Sequence, residues 1–240
     1  MALKKRVIKR FREQGALARF AAGLLTKALR ERKGPLLVAL PGGRTPLALF
    51  EALAAARADW SRVHFFMADE RLVPPGSPAS NFGQASRSFF SKIAIPPRNL
   101  HAVKPGPPRR AAAAYGREIK ELAGRAGVPD LVFLGLGEDG HIASLFPGSA
   151  ALRAAAGPVL PARAPAGVKP VSRITLSLPA LNAAPTVALM AIGRAKKAVF
   201  ARAAAGDAAL PAGRLRPHGE LYLLYSDESP ARQRPARRKK

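Results

Sequence analysis

The chain has 240 residues and no cysteine. That single absence removes disulfides, thiolate nucleophiles and cysteine-bound zinc. Acidic residues are scarce: 15 Asp and Glu stand against 40 Lys and Arg, a formal charge of +25. Long apolar runs are missing too. The basic start, Met1 to Arg12, could open a secretory signal, but the apolar stretch after it is broken by Arg19 and Lys27, so no h-region forms. No uninterrupted run reaches membrane-spanning length. A cytoplasmic protein without a membrane partner is the expectation; a basic, amphipathic transit peptide is harder to set aside. Aromatics are few, with one Trp, three Tyr and eleven Phe, and they do not interleave with the basic runs as in single-strand binders. A strong cationic excess attracts anions, whether nucleic acid or a phosphorylated metabolite. The charge is spread along the chain and densest at Lys4-Lys5-Arg6 and Arg237-Arg238-Lys239-Lys240. The expectation is therefore solvated termini rather than a nucleic-acid site.

Hydrophobic residues make up 48% of the chain, enough for a folded core. Leu17, Phe20, Ala21, Leu24, Leu25, Ala28 and Leu29 recur at the spacing of one helix face, which Lys33-Gly34-Pro35 ends. Leu36 to Leu40 is apolar on both faces, like a buried parallel strand. It stops at Pro41-Gly42-Gly43, and Thr45-Pro46 supplies a cap and first position for a second helix. Strand-like runs recur at 63–67, 131–134, 173–178, 186–192 and 221–225, with a helix over 111–123. The stretches 73–78, 105–108 and 157–170, rich in Pro and Gly, read as loops. Alternating strands and helices predict a three-layer α/β/α fold with a mostly parallel, Rossmann-like open sheet. One domain over residues 1–230 is expected, followed by a basic tail, 231–240.

Ligands of open α/β sheets bind at the carboxyl ends of strands, and three unusual segments fall there. In Pro41-Gly42-Gly43-Arg44-Thr45, two glycines let backbone N–H groups approach an anion at a helix N-terminus, and Arg44 adds a forked donor. The same pair equally suits an ordinary tight turn. Asp69-Glu70-Arg71, followed by Ser80-Asn81, puts three charges at the end of an apolar strand, and by itself it reads as a solvated loop. Gly135-Leu136-Gly137-Glu138-Asp139-Gly140-His141 contains a literal Gly-x-Gly-x-x-Gly. As a dinucleotide site it fails. Glu138 and Asp139 put negative charge where a pyrophosphate would sit, no acid follows before Asp207, and Pro147 leaves little room for the helix. A site for a phosphorylated dinucleotide using Arg153 or Arg163 ranks low. What remains is a Gly-rich loop presenting Asp139 and His141. Imidazole is a natural general base near neutral pH, and a carboxylate two residues away can orient it. His64 falls inside a strand and reads as structural; His101 and His218 have no motif around them.

Taken together, the stretches ALPGGRTPLALFEAL (39–53), FFMADERLVPPGSPASNFG (65–83), DLVFLGLGEDGHIASLFPGS (130–149), RITLSLPALNAAPTVALMAIGRAKKAVF (173–200) and, more weakly, LPAGRLRPHGELYLLYSDESP (210–230) resemble the glucosamine-6-phosphate isomerase/6-phosphogluconolactonase family, in family order and spacing. After Asp-Gly-His the isomerase branch continues Ile-Gly-Phe-Asn-Glu-Pro. Here Ile142-Ala143-Ser144-Leu145-Phe146-Pro147 looks like the lactonase branch, as does Asp-Glu-Arg in place of Asp-Glu-Tyr. The resemblance implies hydrolysis of 6-phosphogluconolactone without cofactor or metal, with an isomerase or deaminase activity as the alternative; a monomer is the expectation. It implies a catalytic set of His141, Asp139 and Arg71. His141 would activate water and Asp139 would orient its ring; Arg71 would stabilise the oxyanion or hold Asp139. The implied phosphate site is Gly42, Gly43, Arg44, Arg173 and Lys196, with Lys197 the alternative to Lys196. Thr45, Asp69, Asn81 and Gly137 complete the substrate-binding set, Asn81 as a sugar-hydroxyl contact. Pro41 departs from the family, in which a serine commonly precedes the two glycines; a phosphate-binding hydroxyl is lost, for which Thr45 or Arg44 can compensate.

Overall fold

The computed structural model describes residues 3–43, 45–154 and 156–228. Arg44 and the 231–240 tail therefore lie outside the described residues. In chain order the strands and helices are β1 (Lys5–Phe11), α1 (Gln14–Glu31), β2 (Leu36–Leu40), α2 (Pro46–Ala54), β3 (Val63–Met67), β4 (Asp69–Arg71), α3 (Asn81–Ser88), α4 (Pro108–Ala123), β5 (Leu131–Gly135), α5 (Ala150–Arg153), β6 (Val159–Arg163), β7 (Ser172–Leu176), α6 (Leu178–Ala183), β8 (Thr186–Ile192), α7 (Lys197–Ala205) and β9 (Glu220–Ser226).

Six strands form one parallel sheet in the order β1-β9-β8-β5-β2-β3. The inner strands read as unbroken apolar runs because both faces are covered. All five residues of β2 are buried. One apolar core lies between the sheet and α1 and α2. There Trp60, Phe65, Phe89 and Phe90 pack with ring centroids 5.2–6.1 Å apart. The other core lies on the opposite face, against α4 and α7, and includes Phe66, Tyr115, Ile119 and Phe200. Among the described residues no helix is long and apolar enough to cross a membrane.

Several sequence expectations need correction. The basic segment expected to be a solvated terminus is a strand. β1 pairs in parallel with β9 over Lys5–Phe11, and Val7 and Phe11 pack against the α1 side of the sheet. Its high cation density hid the two inward-facing apolar positions, Val7 and Phe11. The 157–170 stretch contains a strand, β6, whose Pro161 was read as a loop signal. The run read as a strand over 173–178 is shorter. It ends at Leu176, and the Ser177 side chain accepts from the Ala180 N–H to cap α6. It also leaves the parallel sheet, lying antiparallel between β4 and β6 in a separate three-stranded sheet. Thr45 has helical backbone angles and makes no capping hydrogen bond through its side chain.

Candidate active site

The cleft lies where β2, β5 and β8 of the parallel sheet end and the small β4-β7-β6 sheet abuts. It measures about 180 Å³. From β2 come Gly42, Gly43 and Thr45. From β4 and the turn beyond it come Asp69, Arg71 and Asn81. Gly137 and His141 follow β5, Arg173 comes from β7, and Lys196 follows β8. The substrate-binding residues named from sequence thus converge on one cleft, apart from Arg44. Lys197, the alternative to Lys196, begins α7 with an exposed side chain and does not line it.

Asp139 does not line the cleft itself but holds His141, which does. Its Oδ1 lies 2.6 Å from His141 Nδ1 and also accepts the His141 backbone N–H at 3.1 Å. An imidazole that donates from Nδ1 keeps its Nε2 lone pair available to accept a proton. The loop is tightened by Gly137 N–H donating to the His141 carbonyl, 2.9 Å, and Gly140 N–H to the Gly137 carbonyl, 3.1 Å. Phe146 packs against the His141 ring at 4.6 Å between centroids. Arg173 lies over the same Phe146 at 5.8 Å, so one aromatic ring supports both the imidazole and a guanidinium.

The charged triplet is not a solvated loop. Asp69 is 7% exposed and Glu70 3% exposed. β4 pairs antiparallel with β7, bringing Arg71 opposite Arg173 and Asp69 opposite Thr175. Alternation along a strand sends successive side chains to opposite faces. Asp69 and Arg71 therefore line the cleft, and Glu70 turns under the following segment. Asp69 Oδ2 accepts from Ser144 Oγ at 2.6 Å, and the Ser144 N–H donates to Thr175 Oγ1 at 3.2 Å. Asn81 Nδ2 donates to the Asp69 carbonyl at 2.8 Å, and Arg71 Nη1 to the Ala79 carbonyl at 2.7 Å. Burial pulls the Arg173 guanidinium below its ordinary value; Asp69 acts in the opposite sense, and Arg71 adds to the lowering. Lys196 Nζ donates to the Leu136 carbonyl, which fixes the ammonium beside the Gly-rich loop.

Two glycines are demanded by close approach. A Cβ on Gly42 would lie 1.9 Å from Asn81 Oδ1, and one on Gly137 would lie 2.1 Å from His141 Nδ1. Sequence reasoning missed Ser144, Phe146 and the part played by Glu70. For Ser144 the available signal was its place in the loop after His141. For Glu70 it was period-2 alternation, legible once Asp69–Arg71 is recognised as a strand.

The glucosamine-6-phosphate isomerase/6-phosphogluconolactonase family model matches residues 12–223. The chain belongs to this family. It is 35% identical over 233 residues to the 6-phosphogluconolactonase of Nostoc sp., covering 92% of this chain and 95% of that one. The crystal structure of the 6-phosphogluconolactonase of Thermotoga maritima superposes with a TM-score of 0.81 at 33% identity, covering 92% of this chain and all of that one. A monomeric glucosamine-6-phosphate deaminase also superposes, with a TM-score of 0.79, but at 18% identity it shows the shared fold alone. Among the described residues no group of three or more His, Asp or Glu side chains could hold a metal ion.

Proposed function

We propose that this chain hydrolyses 6-phospho-D-glucono-1,5-lactone to 6-phospho-D-gluconate, the second step of the oxidative pentose phosphate pathway, in the cytoplasm and as a monomer without cofactor. The observation that carries the reading is the Asp139–His141 dyad at a cleft that also holds Arg71, Arg173 and Lys196, set in a chain akin to proteins named for that reaction.

His141 Nε2 takes a proton from water as the water oxygen bonds to C1. The carbonyl electrons move onto its oxygen, and in this reading Arg71, which lines the same cleft as His141, stabilises that oxyanion. Collapse of the tetrahedral intermediate breaks the bond between C1 and the ring oxygen. The imidazolium returns its proton to the departing oxygen, leaving a hydroxyl at C5 and an acid at C1. No covalent intermediate with the protein forms. Asp139 holds the Nδ1–H tautomer and stabilises the imidazolium. The phosphate is held at Gly42-Gly43 with Arg173 and Lys196. Asn81 faces a sugar hydroxyl. General-base catalysis of this kind contributes about 10²–10⁴ in rate.

The test is to generate the lactone in place with glucose-6-phosphate dehydrogenase and follow 6-phosphogluconate, with and without purified protein. Acceleration supports the reading. No acceleration, with fructose 6-phosphate released from glucosamine 6-phosphate, would replace it with the deaminase activity. Arg173→Ala removes a phosphate partner used equally in ground and transition states. It raises KM about tenfold or more and leaves kcat within a few-fold. Capture of an anionic substrate by a chain of net charge +25 is steered by long-range attraction. kcat/KM therefore falls as ionic strength rises beyond about 0.1 M, where the screening length is about 10 Å. A salt-independent kcat/KM would remove steering from the account.

A further inference from the structure

Glu70 is a buried carboxylate to which the proposed chemistry assigns no part. Its two oxygens accept from four neutral donors. Oε1 takes the backbone N–H of Arg71 at 2.7 Å and of Asn81 at 2.8 Å. Oε2 takes the Phe82 N–H at 2.7 Å and the Ser80 hydroxyl at 3.1 Å. Burial, with Asp69 adding to it, raises this carboxyl above its ordinary value, and the three backbone N–H groups pull the other way. A neutral amide in its place would set its NH2 against N–H donors. Only a two-oxygen acceptor serves all four.

What those bonds hold is specific. Among the residues they tie together, Arg71 and Asn81 both line the cleft. Among the described residues, the buried side-chain polar atoms with no hydrogen-bond partner are Arg71 Nε and Asn81 Oδ1. Unpaired buried polar atoms are costly and call for an explanation. Both atoms are shielded from solvent, and Asn81 Oδ1 packs against Gly42, so the Glu70 clamp takes a large share in holding these two side chains in place. The segment is shaped around the clamp. Ser80 Oγ also accepts the Gly83 N–H to cap α3, and a Cβ on Gly83 would strike the Pro75 carbonyl oxygen at 2.1 Å.

We propose that Glu70 is a positioning residue for the hydrolysis: its carboxylate fixes Arg71 and Asn81 relative to each other, so that both engage the substrate at once. This rests on the lactonase reading above. A displacement of about 1 Å in such a pair costs on the order of 10²-fold in rate.

The experiment is a coupling cycle. kcat and KM are measured for wild type, E70Q, the double variant Arg71→Ala/Asn81→Ala and the triple variant combining them. Glu70→Gln alone lowers kcat/KM about 10²-fold, through both kcat and KM. In the background lacking Arg71 and Asn81 side chains it costs less than about threefold, because residues acting through one another are not additive. Equal losses in both backgrounds would reduce Glu70 to a general structural residue and overturn the proposal, as would wild-type kinetics in E70Q. If E70Q does not fold, Ser80→Ala removes one of the four donors and keeps the carboxylate, and the same non-additivity is expected on a smaller scale. Hydrogen exchange at the Arg71, Asn81 and Phe82 amides is read in parallel and needs no activity. Faster exchange in E70Q supports the clamp; unchanged exchange refutes it. A wild type with no lactonase activity but fast-exchanging E70Q amides sinks the reaction assignment and leaves the clamp standing.

Discussion

His141→Ala lowers kcat by about 10²–10⁴-fold and changes KM little. The loss falls on turnover because, in the proposed mechanism, the imidazole acts on water and not on the sugar phosphate. Its ring is held by Asp139 through Nδ1 at 2.6 Å and backed by Phe146, so its deletion leaves the rest of the cleft in place. The proposed phosphate contacts at Gly42-Gly43, Arg173 and Lys196 lie on other elements. Steady-state kinetics on enzymatically generated lactone, corrected for its spontaneous hydrolysis, measures this directly. If the variant keeps nearly full kcat, the water is activated by another group and the general-base role of His141 is wrong.

Gly137→Ala is expected to be nearly as damaging without touching either member of the dyad. The added Cβ would sit 2.1 Å from His141 Nδ1, 2.3 Å from Cε1 and 2.7 Å from Asp139 Oδ1. The backbone there is not in the left-handed region, so alanine is tolerated conformationally. The whole cost arises from displacing the imidazole and its carboxylate. A shift of about 1 Å in a general base costs on the order of 10²-fold in kcat, while Tm changes by no more than a few degrees. An alanine variant with wild-type kcat would show that the loop can move aside, and that the dyad's position is less restricted than its contacts imply. The comparison with His141→Ala is informative, since both should reach a similar floor set by the remaining cleft.

The α/β layering was legible because its signals are local. A continuous apolar strand ending in Pro41-Gly42-Gly43, and another ending in Gly135-Leu136-Gly137, declare the sheet and its functional end. His141 and Asp139 were legible for the same reason: two residues apart on a glycine-rich turn, they can meet only across that turn. β1 was not legible. Its Lys5, Arg6, Lys9 and Arg10 are those of an exposed edge strand, and charge on an edge guards against unwanted pairing. In sequence that charge looks like a solvated tail. Which of Lys196 and Lys197 lines the cleft was equally closed to sequence, because it depends on the turn out of β8, where Gly193 takes φ of 105°.

From its sequence alone, then, the chain determined an open parallel sheet, a glycine-rich turn after β2, and a histidine–aspartate pair after β5. These follow from hydrophobic periodicity and from the few backbone shapes open to glycine-rich turns. Tertiary structure decided the rest. Pairing of β4 with β7 turned Asp69-Glu70-Arg71 from a charged loop into a buried strand and set Arg173 opposite Arg71. The same pairing split the triplet, two side chains into the cleft and one beneath it. The cause is that a carboxylate accepts burial only where donors converge on it, and the donors here come from residues 71 to 82, which the fold alone brings together.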